Sequence, residues 1–292
     1  MTLPTDFKIL VYEREHRGHR FSTVRVLIEA LLALQNATER KLVIVLATTA
    51  AACESEEYAE QLAHLADRFE TRLIGDDRLT GSGLQGAKQK LDNLLKLVRT
   101  EHFDHLYLPY GDGLLQLLAL RLLVPGARWP RHLVTEAIVM RSNFGYPDVS
   151  LKSRIASVVA MWCPRIDRLH LIDPLPYESI ANRWPALTQR INLMPIPIAP
   201  GVPIAQAEAR KSLGLPLDAK LVVCVGVIDE RKGVDALINA FLALPANEER
   251  RLVLAGRHSL KVLAILNQTP DAPIISINRY LSDDELNCYV NA

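Results

Sequence analysis

Short apolar runs rich in β-branched residues alternate with longer segments in which apolar positions recur every three or four residues, from one end of the chain to the other. The first pattern is typical of buried strands and the second of amphipathic helices. Repeated strand–helix units predict an α/β fold built on parallel sheets. The predicted strands lie near 7–13, 41–48, 71–75, 105–110, 131–138 and 168–172, and the clearest helices near 21–35, 55–69, 84–100 and 151–162.

A proline-rich passage at 194–203 interrupts this alternation. Proline fixes φ and lacks a backbone donor, so neither a helix nor a strand continues through it. We therefore predict a Rossmann-like N-terminal domain over 1–195, a linker over 196–204 and a second domain over 205–292. The second domain has three predicted strands where a doubly wound domain has about five or six, so we expect it to be incomplete.

Composition narrows the function classes further. The formal net charge is +1, which gives no global field to attract nucleic acid. The four cysteines are scattered without metal-ligand spacing, and the N-terminus shows no secretory pattern, so we expect a cytoplasmic protein without a metal site. The longest apolar stretch, 114–124, is too short to span a bilayer and predicts a core helix, although peripheral membrane contact stays open.

The most informative segment is the passage 225–241, VGVIDERKGVDALINAF. A buried strand ends at Gly226, a charged loop follows, and a helix begins near Gly233. Arg231 and Lys232 therefore lie beside the free N–H groups of a helix N-terminus, where dipole and charge together stabilise an anion such as a diphosphate. An ordinary solvated loop is the alternative interpretation.

The same segment resembles the signature of glycosyltransferase family 4, in which a glycine is followed by a Lys-Gly pair and an apolar helix. Three further passages resemble that family in the same order along the chain: ARKSLGLP at 209–216, LVLAG at 252–256 and YLSDDEL at 280–286. The resemblance implies a GT-B architecture, which consists of two Rossmann-like doubly wound domains, the second being incomplete in this chain.

Several residue roles follow from the resemblance. Lys232 is expected to neutralise the diphosphate of a nucleotide-sugar donor, helped by Arg231, and Gly226 and Gly233 are expected to border the donor. Many family members carry an arginine directly after the strand-end glycine, where this chain has Val227. The donor would act as a co-substrate, and neither a further cofactor nor a metal is implied.

In the N-terminal domain, the segment EHRGHRF at 15–21 follows the first strand and precedes a helix. It resembles the family's first loop, so Gly18 and His19 are expected to face the donor. Asp112 follows a strand at the carboxyl edge of the sheet, where it could contact an acceptor hydroxyl or cap the next helix. Glu136 occupies the place where family members often carry a histidine near the reacting sugar, and it is a polar candidate on the acceptor side.

The segment GSGLQG at 81–86 also matches the GxGxxG pattern of dinucleotide-binding proteins. The apolar part of the preceding predicted strand ends near Ile74, so six residues, 75–80, lie between it and this segment. No acidic residue ends a strand about 20 positions later, as that fingerprint requires. The context favours an ordinary loop before a helix.

The sequence as a whole predicts a glycosyltransferase that moves a sugar from a nucleoside diphosphate sugar to a glycan, lipid or small-molecule acceptor, with retention implied by the resemblance. One alternative is a non-catalytic glycosyltransferase-like fragment or binding module. It is favoured by Val227 and by the absence up to residue 292 of the family's E-x7-E motif. A nucleotide-sugar epimerase of the same architecture is a further alternative.

Overall fold

The computed structural model describes residues 6–15, 20–38, 41–75, 84–124, 128–140, 150–194, 201–245 and 249–292. The chain divides into two compact units, Met1–Pro197 and Ile198–Ala292, which we call the N-terminal and C-terminal units. The acceptor-side and donor-side roles expected for 1–195 and 205–292 stay predictions.

In the described part of the N-terminal unit, seven parallel strands form one sheet in the order β3-β2-β1-β4-β5-β6-β7. The central strands are apolar on both faces, because helices cover both sides of most of the sheet. The strands are β1 (Phe7–Tyr12), β2 (Leu42–Thr48), β3 (Glu70–Leu73), β4 (His105–Leu108), β5 (Val134–Val139), β6 (Arg168–Leu171) and β7 (Ile191–Leu193).

The strand order determines which face each helix covers. The connections through β1, β2 and β3 move toward one edge and the later ones toward the other, so right-handed crossovers place α1–α3 and α4–α7 on opposite faces. Ile28 packs in the core of the first face and Leu94 and Leu118 in that of the second. The helices are α1 (Arg20–Thr38), α2 (Ala50–Cys53), α3 (Glu56–Gln61), α4 (Leu84–Thr100), α5 (Leu114–Leu123), α6 (Leu151–Trp162) and α7 (Pro174–Arg183).

The chain reverses its winding direction between the neighbouring strands β1 and β4. The connections that leave the carboxyl ends of these two strands turn to opposite faces of the sheet. In open α/β sheets such a switch point leaves a crevice at the carboxyl edge, and ligands collect there.

The C-terminal unit has a second parallel sheet, in which three strands of the described residues run in the order β10-β9-β8. Helices α9 and α10 contribute to the core on one face, and α11 contributes to the core on the other. The elements are α8 (Gln206–Ser212), β8 (Lys220–Val225), α9 (Val234–Leu242), β9 (Arg250–Ala255), α10 (Leu260–Asn267), β10 (Ile274–Ile277) and α11 (Asp283–Asn291).

The α/β fold predicted from the alternating pattern is confirmed, but one predicted helix is wrong. The segment 55–69 is not a single helix, because α3 ends at Gln61 and a 3-10 turn follows at Ala63–Leu65. Leu62 and Phe69 are buried in the same core, and the tighter turn brings the chain to β3 at residue 70. Strand β7 was not predicted, since three residues are too few to show a period.

The described helices include none that is both long enough and apolar enough to cross a membrane. Helix α5, which contains most of the longest apolar stretch, buries Leu114, Leu115, Leu118 and Ala119. It is therefore a core helix, as predicted.

The start of α11 allows a test of how the C-terminal unit is stabilised. The Ser282 hydroxyl accepts a hydrogen bond from the Glu285 N–H at 3.1 Å, and the Glu285 carboxylate accepts one from the Ser282 N–H at 3.1 Å. We expect Ser282→Ala to lower the free energy of unfolding by about 1 kcal/mol, because the Glu285 N–H loses its hydrogen-bond acceptor. Amide hydrogen exchange in β8–β10 measures this loss. The control is Ser212→Ala, which removes a hydroxyl that donates to the Ala209 carbonyl of the same helix. An equal loss of stability in this variant would show that the cap of α11 is not what stabilises the unit.

Candidate functional site

The loop between β8 and α9 is shaped by two glycines. Gly226 has a φ of +91° and Gly233 a φ of +65°, conformations that side chains with a Cβ adopt only under strain. Between them lies a 3-10 turn, Glu230–Lys232, and Gly233 ends that turn and precedes the first residue of α9. The chain thus turns sharply from the end of a strand into a helix N-terminus.

Lys232 folds back over the end of β8. Its Nζ donates a hydrogen bond to the Val225 carbonyl oxygen at 2.5 Å, and a Cβ added at Gly226 would lie 3.0 Å from the same nitrogen. The absence of a side chain at Gly226 therefore leaves the space that the ammonium occupies. Lys232, Gly226 and Gly233 lie together as the sequence predicted, whereas the side chain of Arg231 lies outside the described residues.

The connection from β9 to α10 holds this loop in place. Ile228 donates its N–H to the Arg257 carbonyl at 2.8 Å, and Ser259 donates its N–H to the Ile228 carbonyl at 3.0 Å. The Ser259 hydroxyl also donates to the Glu230 carboxylate at 3.2 Å. The two connections thus form one hydrogen-bonded platform at the carboxyl edge of the sheet.

His258 in this platform was not predicted from the sequence. Its Nδ1 lies 2.6 Å from the Gly256 carbonyl and its Nε2 lies 3.1 Å from the Ser276 hydroxyl. A carbonyl only accepts, so we assign the proton to Nδ1 and an accepting role to Nε2. Burial lowers the pKa of His258 by more than the hydrogen bond to the Gly256 carbonyl raises it, so the pKa lies below its usual value. A histidine two residues after a strand-end glycine was the available signal.

In the N-terminal unit, an ion pair joins the two ends of the first loop. Gly18 and His19 lie outside the described residues, but Glu13 precedes the loop and Arg20 follows it. The Arg20 Nη1 donates to both oxygens of Glu13 at 2.9 and 3.1 Å, and its Nη2 pairs with Glu15 at 2.9 Å. The guanidinium also stacks on Tyr110, 4.3 Å from the ring centroid.

This cluster lies at the switch point between β1 and β4, because Glu13 directly follows β1 and Tyr110 closely follows β4. Burial raises the pKa of the Glu13 carboxyl, and the charge of Arg20 opposes that change. Lys90 of α4 also pairs with Glu15. Glu13, Arg20 and Tyr110 were not singled out from the sequence. The pattern that could have indicated them is the run of charged residues that directly follows the buried strand β1.

Asp112 lies at the carboxyl edge of the same sheet, as predicted. Its Oδ2 accepts a hydrogen bond from the Met140 N–H at 3.0 Å, which ties the end of β4 to the end of β5. Gly113, and not Asp112, is the N-cap residue of α5. The choice between an acceptor contact and capping by Asp112 stays a prediction. Asp112 also borders a cavity of about 220 Å³ with a mainly apolar lining, which includes Leu115 and Met161.

Glu136 is in the middle of β5, away from the carboxyl edge. It is 8% exposed, and its carboxylate lies 3.0 Å from Nε2 of His170 and 3.6 Å from Nε2 of His105. Burial raises the pKa of Glu136, but the hydrogen bond to His170 and the charges of His105, His170 and Arg168 lower it more, and the net pKa is below the usual value. The structure does not bring Glu136 together with Asp112.

No cluster of three or more His, Cys, Asp or Glu side chains suited to a metal ion occurs among the described residues. The four cysteines are free thiols.

No protein-family model and no curated protein matches the chain. Several solved structures are similar to it. Sucrose-phosphate synthase from Thermosynechococcus elongatus superposes with a TM-score of 0.66 at 14% identity, over 98% of this chain and 73% of that one. Anabaena HepE, solved in complex with UDP and glucose, superposes with a TM-score of 0.60 at 14% identity, over 96% of this chain and 71% of that one.

A putative UDP-N-acetylglucosamine 2-epimerase from Listeria monocytogenes is also similar, with a TM-score of 0.55 at 12% identity over 98% of this chain and 72% of that one. At these identities the similarity establishes the fold. The chain has the α/β fold of the GT-B glycosyltransferases, as the sequence predicted.

The hydrogen-bonded platform depends on Gly256, the last residue of the LVLAG passage, whose contact with Gly226 was not predicted from the sequence. A Cβ at Gly256, which has a φ of +132°, would lie 1.9 Å from the Gly226 carbonyl oxygen. We expect Gly256→Ala to lower the free energy of unfolding by about 2 kcal/mol or more, through backbone displacement and strain. Thermal unfolding measures the loss. Gly214→Ala is the control, because φ is +65° there but no atom lies within 4 Å, and an equal loss in both variants would contradict the close approach.

Proposed function

We propose that this chain is a glycosyltransferase that uses a nucleoside diphosphate sugar as donor. The observation that carries the proposal is the position of the Lys232 ammonium, held over the end of β8 directly before the N-terminus of α9. A cation beside a helix N-terminus suits a diphosphate, because its charge and the helix dipole act on the same anion.

The chemical role of Lys232 follows from where charge develops in the reaction. Breaking the glycosidic bond of the donor leaves negative charge on the departing diphosphate. A fixed ammonium interacts more strongly with that charge in the transition state than in the ground state, and this difference lowers the barrier. The resemblance to glycosyltransferase family 4 supports Arg231 as a second cation and supports retention of configuration at the transferred sugar.

The nature of the donor is supported by the structural neighbours. Anabaena HepE was solved with UDP and glucose, and the Listeria protein is named for a UDP-linked sugar. Both resemble this chain over nearly its whole length. A nucleoside diphosphate sugar is therefore the ligand class that we assign to the platform around Gly226, Lys232 and Gly233.

The N-terminal unit would supply the acceptor side. We propose that Gly18 and His19, in the loop joined at its ends by the Glu13–Arg20 pair, contact the donor, and that Asp112 contacts an acceptor hydroxyl. Glu136 is left out of this proposal, because its carboxylate is engaged by two histidines in the middle of a strand.

A nucleotide-sugar epimerase is the second candidate. It is favoured by the similarity to the Listeria epimerase and needs a donor site without an acceptor. A binding module without catalysis is favoured by Val227, which stands where many family members carry an arginine.

Lys232→Ala should weaken UDP binding about 10- to 100-fold while leaving uridine binding nearly unchanged, because hydrogen bonds to charged groups contribute about 1.5–3 kcal/mol and the ammonium would meet only the phosphates. Isothermal titration of both ligands measures the difference. Lys232→Arg should restore part of the affinity, since a planar guanidinium replaces a compact ammonium.

The matched control is Lys220→Ala, which removes an exposed lysine from the opposite end of the same strand. UDP affinity should stay at the wild-type value in that variant. Equal losses for UDP and uridine in Lys232→Ala would show that the ammonium does not act on the phosphates.

Reaction type is tested by incubating the chain with UDP-, GDP- and ADP-linked sugars, with and without a mixture of glycan and lipid acceptors. We expect acceptor-dependent release of the nucleoside diphosphate, and a loss of about tenfold or more in Lys232→Ala. A changed sugar configuration without release of the diphosphate would identify an epimerase. Binding without either reaction would identify a binding module.

A further inference from the structure

Helix α6 exposes an apolar stripe to solvent. Leu151 is 73% exposed, Ile155 55% and Trp162 50%. Together with the half-buried Val158 they recur every three or four residues, so they share one face of the helix. The opposite side of α6 buries Ser157, Ala160 and Met161 toward the sheet.

The adjacent end of α5 continues this surface. Helices α5 and α6 pack side by side, and both follow strands of one parallel sheet, so they run in the same direction. Leu120, Leu123 and Val124 are exposed at the end of α5, while the residues that α5 buries contact the sheet. The outward faces of the two helices thus form one apolar surface, which we call the α5–α6 surface.

The charged residues on these two helices have one sign. Neither helix contains Asp or Glu, whereas Arg121 lies on α5, and Lys152 and Arg154 lie on α6. Lys152 is exposed beside the apolar stripe, Arg154 is half-buried on its other side, and Arg165 is exposed just beyond Trp162, two positions before the exposed Asp167. Apolar and aromatic side chains with lysine or arginine and without acidic residues are typical of helices that lie in the headgroup region of a bilayer.

We propose that the α5–α6 surface binds to membranes that contain anionic lipids, with the stripe of α6 inserted among the headgroups and acyl chains. Charge complementarity selects this partner over a second copy of the chain. The outward residues of α5 and α6 carry only positive charge, so a symmetric contact would place like charges against one another. Trp162, with an apolar ring and a polar N–H, suits the boundary between hydrocarbon and water.

The test uses the full chain and sedimentation with vesicles of phosphatidylcholine alone or mixed with phosphatidylglycerol. We expect binding to the mixed vesicles, weaker binding at high salt and little binding to phosphatidylcholine. The double variant Ile155→Ser/Trp162→Ser should weaken binding about tenfold or more, because it removes apolar area that inserts. Lys152→Gln/Arg165→Gln should reduce the preference for phosphatidylglycerol.

Val290→Ser is the control, since Val290 is 72% exposed in the C-terminal unit and its replacement should leave vesicle binding unchanged. Circular dichroism checks that each variant is folded. Failure of the wild-type chain to bind mixed vesicles, or equal binding by the Ile155→Ser/Trp162→Ser variant, would overturn the proposal. A dimer that this variant dissociates, found without vesicle binding, would assign the surface to a second copy instead.

Discussion

The candidate site of the C-terminal unit depends on the close approach of two glycines where β8 and β9 end. A side chain at Gly256 would collide with the Gly226 carbonyl, and one at Gly226 would meet the Lys232 ammonium. The missing side chains let the two strand ends lie together and let Lys232 fold back over β8. Positive φ values at both positions add a second reason for glycine. A polar platform and the Lys232 ammonium, which is hydrogen-bonded to the Val225 carbonyl, therefore lie at the start of α9.

In the N-terminal unit, an ion pair and not a close contact of glycines holds the loop after the first strand. Its first loop leaves the sheet at the switch point between β1 and β4, and the buried Glu13 and the stacked Arg20 join the two ends of the loop. A carboxylate removed from water is costly unless it is paired, so Arg20 is required where Glu13 is buried. The pair explains why charged residues directly follow a strand that is otherwise apolar.

Much of the fold could be predicted from the sequence, because the spacing of apolar residues follows from which positions of a strand or helix are buried. The strands around Ile9, Ile44 and Leu254 are apolar runs, and the glycine and lysine pattern of the β8–α9 loop indicated a turn before a helix. The close approach of Gly256 to Gly226 and the contact of His258 with Ser276 could not be predicted, because these contacts join segments distant in sequence. The Glu13–Arg20 pair spans only seven positions, but nothing in the residue pattern indicated that the start of α1 returns to the end of β1. Glu136 was an acceptor-side candidate through its place in the motif order alone, and the strand register places it in the middle of β5, so that role stays a prediction.

The central claim is that a nucleoside diphosphate binds where β8 meets α9. The most direct test is titration of the 15N-labelled chain with UDP while backbone amide chemical shifts are recorded. The account predicts the largest shifts at Gly226, at Lys232 and Gly233, and in the first turn of α9, with much smaller shifts for uridine at the same amides. Shifts concentrated instead in the segment 81–86, or equal shifts for UDP and uridine, would contradict it.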